Sequence, residues 1–229
     1  MLTSLHQYAW QLAGDCLYAH LYIGGEARVS LGGARVDVRA DTRYPWDGNV
    51  RMTLAMDRQA DFALALRIPF WCDRYTLLVN GAEHPAEVEN GYARVRRQWR
   101  DGDEVELRLS MEVKRYRAHP SVREDANCVA IMRGPLVYCV EEADNGPDLH
   151  LLHIGHVGPE AYRATYEPDT LGGLVSLSSP ALRSSAKWEC DALYAPVEPA
   201  VQEEVTLRWI PYYAWANRSV GEMRVWLPA

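Results

Sequence analysis

The first apolar pattern in the chain has the spacing of an amphipathic helix. Four apolar residues fall at positions i, i+3, i+4 and i+7: Leu5, Tyr8, Ala9 and Leu12. Ser4 and Gln7 have the spacing of a capping box, and Gly14 closes the segment. The pattern predicts one α-helix of about ten residues over positions 5–13. A single helix of this length is marginal by itself, and the sequence indicates no partner helix downstream.

From Leu17 onward the apolar residues recur at every second position, as in half-buried β-strands. Residues 50–56 and 62–68 alternate in this way, so each segment has one face to bury. Asn80-Gly81 is a residue pair that accepts the positive φ angles of a type I′ turn. Many short strands separated by such turns predict a β-sandwich.

The middle of the sequence contains an apolar run, residues 127–142, that is interrupted by Gly134-Pro135. Proline has no N–H for a sheet ladder and glycine tolerates unusual backbone angles, so the run must bend, bulge or turn there. The charged stretch before it, residues 114–126, is typical of a crossing between domains. These patterns predict an all-β fold of two consecutive β-sandwich domains preceded by one short N-terminal α-helix. The helical region is predicted over residues 1–15, the first sandwich over 16–116 and the second over 117–229.

Composition and charge narrow the classes of partner. The 229 residues are 48% hydrophobic and 24% charged, which is typical of a globular chain. Nucleic-acid binding relies on clustered Lys and Arg, so a formal charge of −7 predicts no nucleic-acid partner. The apolar runs are shorter than the roughly 20 residues that span a bilayer, so no membrane partner is expected. The N-terminus lacks the pattern of a signal peptide, which favours a cytoplasmic protein.

The cysteines and histidines give no metal site. The five cysteines are widely spaced and mostly lie beside apolar neighbours: Cys16, Cys72, Cys128, Cys139 and Cys190. They are expected to be buried thiols of a reducing compartment, and no Cys-x-x-Cys pair indicates zinc. His150, His153 and His156 are spaced by three and would align on a helix, but the leucines around them fit a strand as well.

Glu141 and Glu142 are adjacent carboxylates, a residue type used in acid–base catalysis. Neighbouring residues on a strand face opposite ways, so these two cannot converge on one substrate. The sequence predicts solvated charges at both positions.

Six aromatic residues fall in or near expected loops: Trp46, Trp71, Trp188, Tyr212, Tyr213 and Trp215. Sugar rings stack on flat aromatic faces, so these residues are candidates for a carbohydrate-binding surface. The alternative, which we favour, is core packing or contact with another polypeptide, since large apolar patches mark interfaces.

Five motifs follow one another along the chain: Tyr44-Pro-Trp-Asp-Gly48; Leu66-Arg-Ile-Pro-Phe-Trp71 followed by Val79-Asn-Gly81; Trp99-Arg-Asp-Gly-Asp103; Arg133-Gly-Pro-Leu-Val-Tyr138; and Ile210-Pro-Tyr-Tyr-Ala-Trp-Ala-Asn-Arg218. In this order they resemble the C-terminal part of glycoside hydrolase family 127, the β-L-arabinofuranosidase family. The resemblance covers essentially the whole chain, and five ordered motifs are more specific than any one of them.

The resemblance implies that residues 5–13 are the last helix of an (α/α)₆ barrel, which the two sandwiches flank. It also implies a zinc-held cysteine nucleophile in a cluster of one glutamate and three cysteines, with a Cys-Cys-Pro-Pro motif shortly before that helix. This chain has no Cys-Cys pair. Cys16 is the only cysteine near the predicted helix, and it follows the helix instead of preceding it. We interpret Cys16 as a small buried residue rather than a nucleophile. No catalytic, cofactor-binding or metal-ligating residue is therefore assigned to this chain, and zinc is expected only in the missing catalytic domain.

Three functions are compatible with these observations. The first is the non-catalytic C-terminal β-sandwich portion of a β-L-arabinofuranosidase-like hydrolase, which supports a missing catalytic barrel. The second is a stand-alone carbohydrate-binding module, and the third is an interaction partner of a separately encoded catalytic chain. The lone amphipathic helix favours the first and third, because a free module has no use for an exposed apolar face. The expected partners are the barrel and, for the second function, a carbohydrate.

Overall fold

The chain folds into two β-rich units. The computed structural model describes residues 2–187, 193, 194, 196 and 201–229. The units comprise Met1–Met111 and Glu112–Ala229. Both consist mainly of β-strands, which confirms the all-β prediction. Within the described ranges, no helix is both long and apolar enough to cross a bilayer.

The first unit is built from two sheets. Its strands in the described residues are β1 (Trp10–Ala13), β2 (Cys16–Ala19), β3 (Gly25–Leu31), β4 (Ala34–Thr42), β5 (Asn49–Met56), β6 (Ala60–Arg67), β7 (Tyr75–Val79), β8 (Ala82–Glu83), β9 (Val88–Glu89), β10 (Tyr92–Trp99) and β11 (Glu104–Leu109). A five-stranded sheet has the order β1-β2-β6-β10-β9, and a six-stranded sheet has the order β3-β4-β5-β11-β7-β8. Strands β2 and β6 pair in parallel, with Cys16 opposite Ala63.

The core of the first unit is formed by apolar residues from both sheets. The alternating segments 50–56 and 62–68 supply much of it, which is the outcome that their period of two predicted. Phe62 and Trp99 are fully buried and stack with ring centroids 5.8 Å apart. The indole N–H of Trp99 donates to the carbonyl of Phe62 at 3.1 Å, so the one polar group of this large side chain is satisfied.

The predicted short N-terminal helix is present, but it is a 3₁₀ helix and it ends before the predicted residue 13. Leu2–Tyr8 forms a 3₁₀ helix, and the remainder of the predicted helix forms β1 instead. Strand β1 pairs with β2 in a hairpin whose tight turn contains Gly14 at φ 59°. The segment thus contributes a strand to the sheet of the first unit.

The backbone around Ala9 explains this outcome. The carbonyl of Ala9 accepts hydrogen bonds from the N–H groups of His20 and Leu21 at 2.8 and 3.4 Å. Pairing with the chain that follows β2 satisfies backbone groups that a helix would have paired internally. Tertiary pairing therefore outweighs the helical spacing of the apolar residues.

The second unit has one principal run of paired strands. Its strands in the described residues are β12 (Val113–Arg117), β13 (Cys128–Arg133), β14 (Leu136–Glu141), β15 (Leu152–His153), β16 (Arg163–Glu167), β17 (Leu174–Ser184), β18 (Gln202–Pro211), β19 (Met223–Arg224) and β20 (Leu227–Pro228). The order is β12-β13-β14-β18-β17-β15, while β16 pairs with β17, β19 with β14 and β20 with β13. One turn of α-helix, Glu142–Asn145, follows β14. The 3₁₀ helices are Arg123–Asp125, Leu149–Leu151, Pro159–Ala161 and Tyr212–Ala214.

The break at Gly134-Pro135 is a tight turn between β13 and β14. Arg133 pairs with Leu136, and Gly134 has φ 57°, a conformation that glycine adopts without a Cβ penalty. Gly134-Pro135 therefore forms a turn, which was one of the three conformations predicted for this pair. Residue 116, the predicted end of the first domain, lies inside β12, and β12 pairs with β13 in the second unit.

Candidate functional site

An exposed loop in the second unit carries most of the described candidate aromatic residues. We call residues 211–218 the aromatic loop. It begins where β18 ends at Pro211, continues through the 3₁₀ helix Tyr212–Ala214, and reaches Ala216 in a left-handed conformation with φ 60°. Proline cannot donate to a ladder, so the strand stops there and the chain turns away from the sheet.

Three aromatic side chains of this loop face solvent. Tyr212, Tyr213 and Trp215 are 46%, 52% and 41% exposed. Ala214 between them is buried, and it packs in a small cluster with Cys139, Leu174 and Ile210. The small side chain of Ala214 thus packs in the core, and the large aromatic rings remain outside it. The rings of Tyr212 and Trp215 stack, with centroids 5.9 Å apart and planes 19° apart.

A network of ion pairs lies beneath the loop. Arg218 binds Asp144 through two guanidinium nitrogens at 2.7 and 2.5 Å, and it also binds Glu141. Arg208 binds Asp144 at 2.6 Å and Glu167 at 2.5 Å. Positive and negative groups alternate, so each arginine lies between two carboxylates. Such charge-assisted bonds are roughly twice as strong as neutral hydrogen bonds.

These contacts shift the pKa values of the carboxyl groups. Burial by itself raises the pKa of Asp144, but hydrogen bonds and charges from Arg218 and Arg208 outweigh burial and hold it below its ordinary value. The pKa of Glu167 is lowered too, because bonds from Ser176, Arg208 and Thr170 outweigh its desolvation. The Asp144 carboxylate in turn raises the pKa of Arg218. Asp144, Glu167 and Arg218 are therefore ionised at neutral pH.

Glu141 connects this network to the backbone of the loop. Its Oε1 accepts a 2.9 Å hydrogen bond from the N–H of Ala216, and its Oε2 binds Arg218. The prediction of a solvated charge at Glu141 is wrong, because this residue is only 4% exposed. A buried carboxylate is retained here because a cation and a backbone N–H both bind it.

Asn217 and Asn145 hold the surrounding backbone. The amide of Asn217 donates to the carbonyls of Ala214 and Trp215 at 3.1 and 3.0 Å. Asn145 donates to the carbonyls of Glu141 and Arg208 and accepts from the N–H of Arg208. Neither the two asparagines nor the two arginines were predicted as site residues. Polar residues directly after β14, such as Glu142 and Asn145, were the available signal, but their partners lie 63 to 80 positions away.

The other candidate aromatic residues have different environments. Trp71 is 5% exposed and stacks on Tyr44 with centroids 6.4 Å apart, so the core-packing interpretation is correct for it. Trp46, which lies two residues after Tyr44, is half-buried. Trp188 lies outside the described residues. The structure thus separates one structural tryptophan from the exposed rings of the aromatic loop.

The four cysteines that the structure describes, Cys16, Cys72, Cys128 and Cys139, form no disulfide. Cys16 is buried against Ala63 and Ala65, and burial raises the pKa of its thiol. Burial also raises the pKa of Cys139, to about 12. A nucleophilic cysteine needs a lowered pKa, so the environment of Cys16 disfavours that role. Cys190 lies outside the described residues.

The histidines do not form a shared site in the described part of the chain. His150 and His156 are exposed, while Nε2 of His153 lies 3.2 Å from the hydroxyl oxygen of Ser184. Among the residues whose positions are described, no three His, Cys, Asp or Glu side chains are placed to hold a metal ion. Cys16 packs with Ala63, Ala65, Tyr18 and Tyr92, none of which is a usual zinc ligand.

The N-terminal segment presents a second exposed apolar surface. Leu5, Tyr8 and Leu12 are 44%, 64% and 45% exposed, whereas Ala9 is 4% exposed. We call Leu5, Tyr8 and Leu12 the apolar stripe. It belongs to the first unit and lies before strand β2.

The chain thus consists of two consecutive β-rich units, the second of which displays exposed aromatic rings on a fixed loop. Residues 16–111 match the family model described as the β-L-arabinofuranosidase, GH127 middle domain. Residues 113–228 match the glycoside hydrolase family 127 C-terminal domain. The chain belongs to glycoside hydrolase family 127, as its ordered motifs predicted.

Known proteins agree with this assignment. The chain is 38% identical to a non-reducing end β-L-arabinofuranosidase of Bifidobacterium longum subsp. longum, over 98% of this chain and 35% of that protein. A crystal structure of a family 127 β-L-arabinofuranosidase from Geobacillus stearothermophilus T6 superposes with a TM-score of 0.92 and 41% identity, covering 99% of this chain and 36% of that one. A second β-arabinofuranosidase of the family has a TM-score of 0.87 and 31% identity, covering 100% and 37%. The chain therefore spans about a third of the length of these relatives.

Proposed function

We propose that this chain supplies the two non-catalytic β-sandwich domains of a β-L-arabinofuranosidase-like glycoside hydrolase and supports a catalytic (α/α)₆ barrel. The observation that carries the proposal is the apolar stripe. Its three large side chains remain exposed in a segment that precedes residue 16, where the match to the middle domain begins. In this proposal the barrel covers the stripe.

The energetics favour a covering partner. Fully burying a leucine contributes roughly 1.5–3 kcal/mol. Leu5 and Leu12 are each nearly half exposed, at 44% and 45%. Covering them would therefore contribute about 1 kcal/mol for each leucine, and Tyr8 adds a larger ring. Large exposed apolar surfaces mark interaction sites.

The chemistry in this proposal belongs to the barrel. The relatives are named for cleavage of β-L-arabinofuranosides, and we extend that reaction class to the assembled enzyme. The raised thiol pKa of Cys16 supports a structural role for the cysteine nearest the stripe. The described residues of this chain would position and stabilise the catalytic domain.

A chimeric enzyme tests the proposal. In the Bifidobacterium longum relative, this chain replaces the matching C-terminal portion, to which it is 38% identical. We expect the chimera to hydrolyse an aryl β-L-arabinofuranoside and this chain alone to give no turnover above the blank. Replacing the stripe by Leu5→Ser, Tyr8→Ser and Leu12→Ser should lower the melting temperature of the chimera.

The matched control is Val88→Ser on β9, a residue that is 46% exposed in the same unit but lies outside the stripe. It should leave the chimera unchanged. Turnover by this chain alone would contradict the proposal. So would a chimera whose stability and activity are insensitive to the triple substitution.

A further inference from the structure

The geometry points to a carbohydrate-stacking site on the aromatic loop, formed by Tyr212, Tyr213 and Trp215 and suited to a neutral sugar ring. The choice of a sugar rests on the proposed function, because an arabinofuranosidase-like enzyme works among arabinose-containing glycans. The site itself goes beyond that function, since support of a barrel requires no sugar contact on this loop.

The aromatic rings of the loop are accessible to a ligand. The three aromatic residues are 41% to 52% exposed, whereas Pro211 and Ala214 of the same loop are buried. About half of each aromatic residue is therefore open to contact. Exposed aromatic faces bind sugars because the C–H groups of a sugar ring pack against the negative face of the π-system.

The loop is also fixed in place before any ligand arrives. The N–H of Trp215 donates to the carbonyl of Tyr212 at 3.2 Å, and Ala216 is bound by Glu141 at 2.9 Å. Asn217 closes the turn with two further bonds. A preorganised loop loses little conformational entropy on binding, which matters most for a small ligand with few contacts.

The charges favour a neutral ligand. Arg218 is the cation of the loop, and its guanidinium is already bound by both oxygens of Asp144 and by Glu141. Its side chain is 24% exposed. A phosphate or an acidic peptide would have to compete with two carboxylates for this group, so anionic ligands are disfavoured.

The size of the apolar surface favours a sugar over a protein. Residues 216–222 are all exposed, and apart from Val220 they are small or polar. Within residues 211–222, the large exposed apolar side chains are therefore three rings and one valine. A stable protein interface needs roughly 800 Å² and 20–30 residues on each side, whereas one or two sugar rings need only a few aromatic contacts.

Saturation-transfer difference NMR on the purified chain tests this site, with methyl β-L-arabinofuranoside and an arabinofuranosyl disaccharide as probes. We expect saturable binding with a Kd of about 1–10 mM, in the range of weak single-site ligands. Trp215→Ala and Tyr212→Ala should each weaken binding about fivefold, and Trp215→Phe should recover part of the loss because it keeps a ring. Circular dichroism confirms that each variant is folded.

The matched control is Tyr166→Ala on β16, which is 52% exposed in the same unit. It should bind both sugars like the unaltered chain, and inorganic phosphate should not displace them. Absence of saturable binding would overturn the inference, and so would equal weakening by Tyr166→Ala. In the chimera, protection of the loop from hydrogen exchange together with loss of sugar binding would show that the barrel covers the loop. That result would also overturn the inference. An inactive chimera beside a sugar-binding chain would reject the proposed function and leave this site standing.

Discussion

The backbone N–H of Ala216 donates to a carboxylate oxygen of Glu141 at 2.9 Å, across 75 positions of sequence. Ala216 has φ 60°, a left-handed conformation that alanine adopts only at some energetic cost. Glu141 is almost completely buried and also binds Arg218. One side chain at the end of β14 therefore holds the turn that presents Trp215 to solvent.

Removal of the charge at Glu141 should loosen this turn. Glu141→Gln keeps the shape of the side chain but leaves Arg218 with Asp144 as its remaining carboxylate partner among those described. Loss of one partner from a buried charged group is strongly unfavourable, so we expect a loss of about 2–3 kcal/mol in the free energy of unfolding. Urea denaturation followed by circular dichroism measures it. Glu124→Gln, at an exposed glutamate of the same unit, should change stability by less than about 0.5 kcal/mol. Equal effects of the two substitutions would contradict the role of Glu141.

The ion-pair network should make the second unit sensitive to acid. The pKa values of Asp144 and Glu167 lie below their ordinary values of 3.8 and 4.5. A carboxyl group whose folded pKa is depressed stabilises the fold fully above its unfolded pKa, and that contribution is lost as pH falls through the folded pKa. Titration of these two carboxyl groups should therefore change the melting temperature little above pH 4.5. Below pH 4.5 the melting temperature should fall progressively.

Asp144→Asn provides the matched test of that acid response. This variant should be less stable at neutral pH, because it lacks the carboxylate that binds both Arg208 and Arg218. Its melting temperature should then depend less on pH below 4, since the titrating group has been removed. Melting curves recorded from pH 7 to pH 3 check both statements. An unchanged acid response in Asp144→Asn would show that other groups dominate.

A glycine in the first unit should tolerate no side chain. A Cβ built at Gly48 would lie 2.0 Å from the carbonyl oxygen of Leu109, which is a backbone atom. Overpacking typically destabilises by 1–3 kcal/mol, and a rigid backbone clash lies at the upper end, so we expect Gly48→Ala to lose about 3 kcal/mol. Gly24→Ala is the control, because its Cβ would meet only the carbonyl of Ala40 at 3.7 Å. Thermal melts of the two variants should differ clearly, and similar melts would contradict the close approach.

The cysteines should differ in reactivity according to burial. Cys16 and Cys139 are buried, and the pKa of Cys139 is raised to about 12, so only about one thiol in ten thousand is ionised there at pH 8. Cys128 is half-buried. Alkylation by iodoacetamide at pH 8, located by peptide mass spectrometry, should modify Cys128 at least about tenfold faster than Cys16 or Cys139. Rapid selective modification of Cys16 would reopen the question of a nucleophile at that position.

The alternation of apolar residues predicted the core of the first unit well. In β5 the buried side chains alternate along the strand, and that signal is local in sequence, whereas β6 also buries Ala63 and Ala65 on its other face. The turn at Gly134-Pro135 was predictable for the same reason, since two adjacent residues determine it. The N-terminal helix ends earlier than predicted because the backbone of Ala9 pairs with residues 20 and 21, a contact that helical spacing cannot report.

The candidate site was predictable only in part. Exposed aromatic residues at 212, 213 and 215 were identified as a group, but sequence alone could not distinguish their environment from that of the buried Trp71. The burial of Glu141 depends on Arg218, which is 77 positions away. Pairwise electrostatic contacts over such separations leave no periodic signal in a single sequence.

The parallel pairing of β2 with β6 limits where this fold can be exchanged between proteins. Strands β1 and β2 form one border of a five-stranded sheet, and their residues precede or only just enter the segment that matches the middle domain. Joining a foreign sequence at residue 20 would remove β1 and β2 from the sheet. The edge of β6 would then be exposed, and an exposed strand edge promotes aggregation. A viable crossover must therefore fall upstream of Ala9, so that β1 and β2 stay with the sheet that they complete.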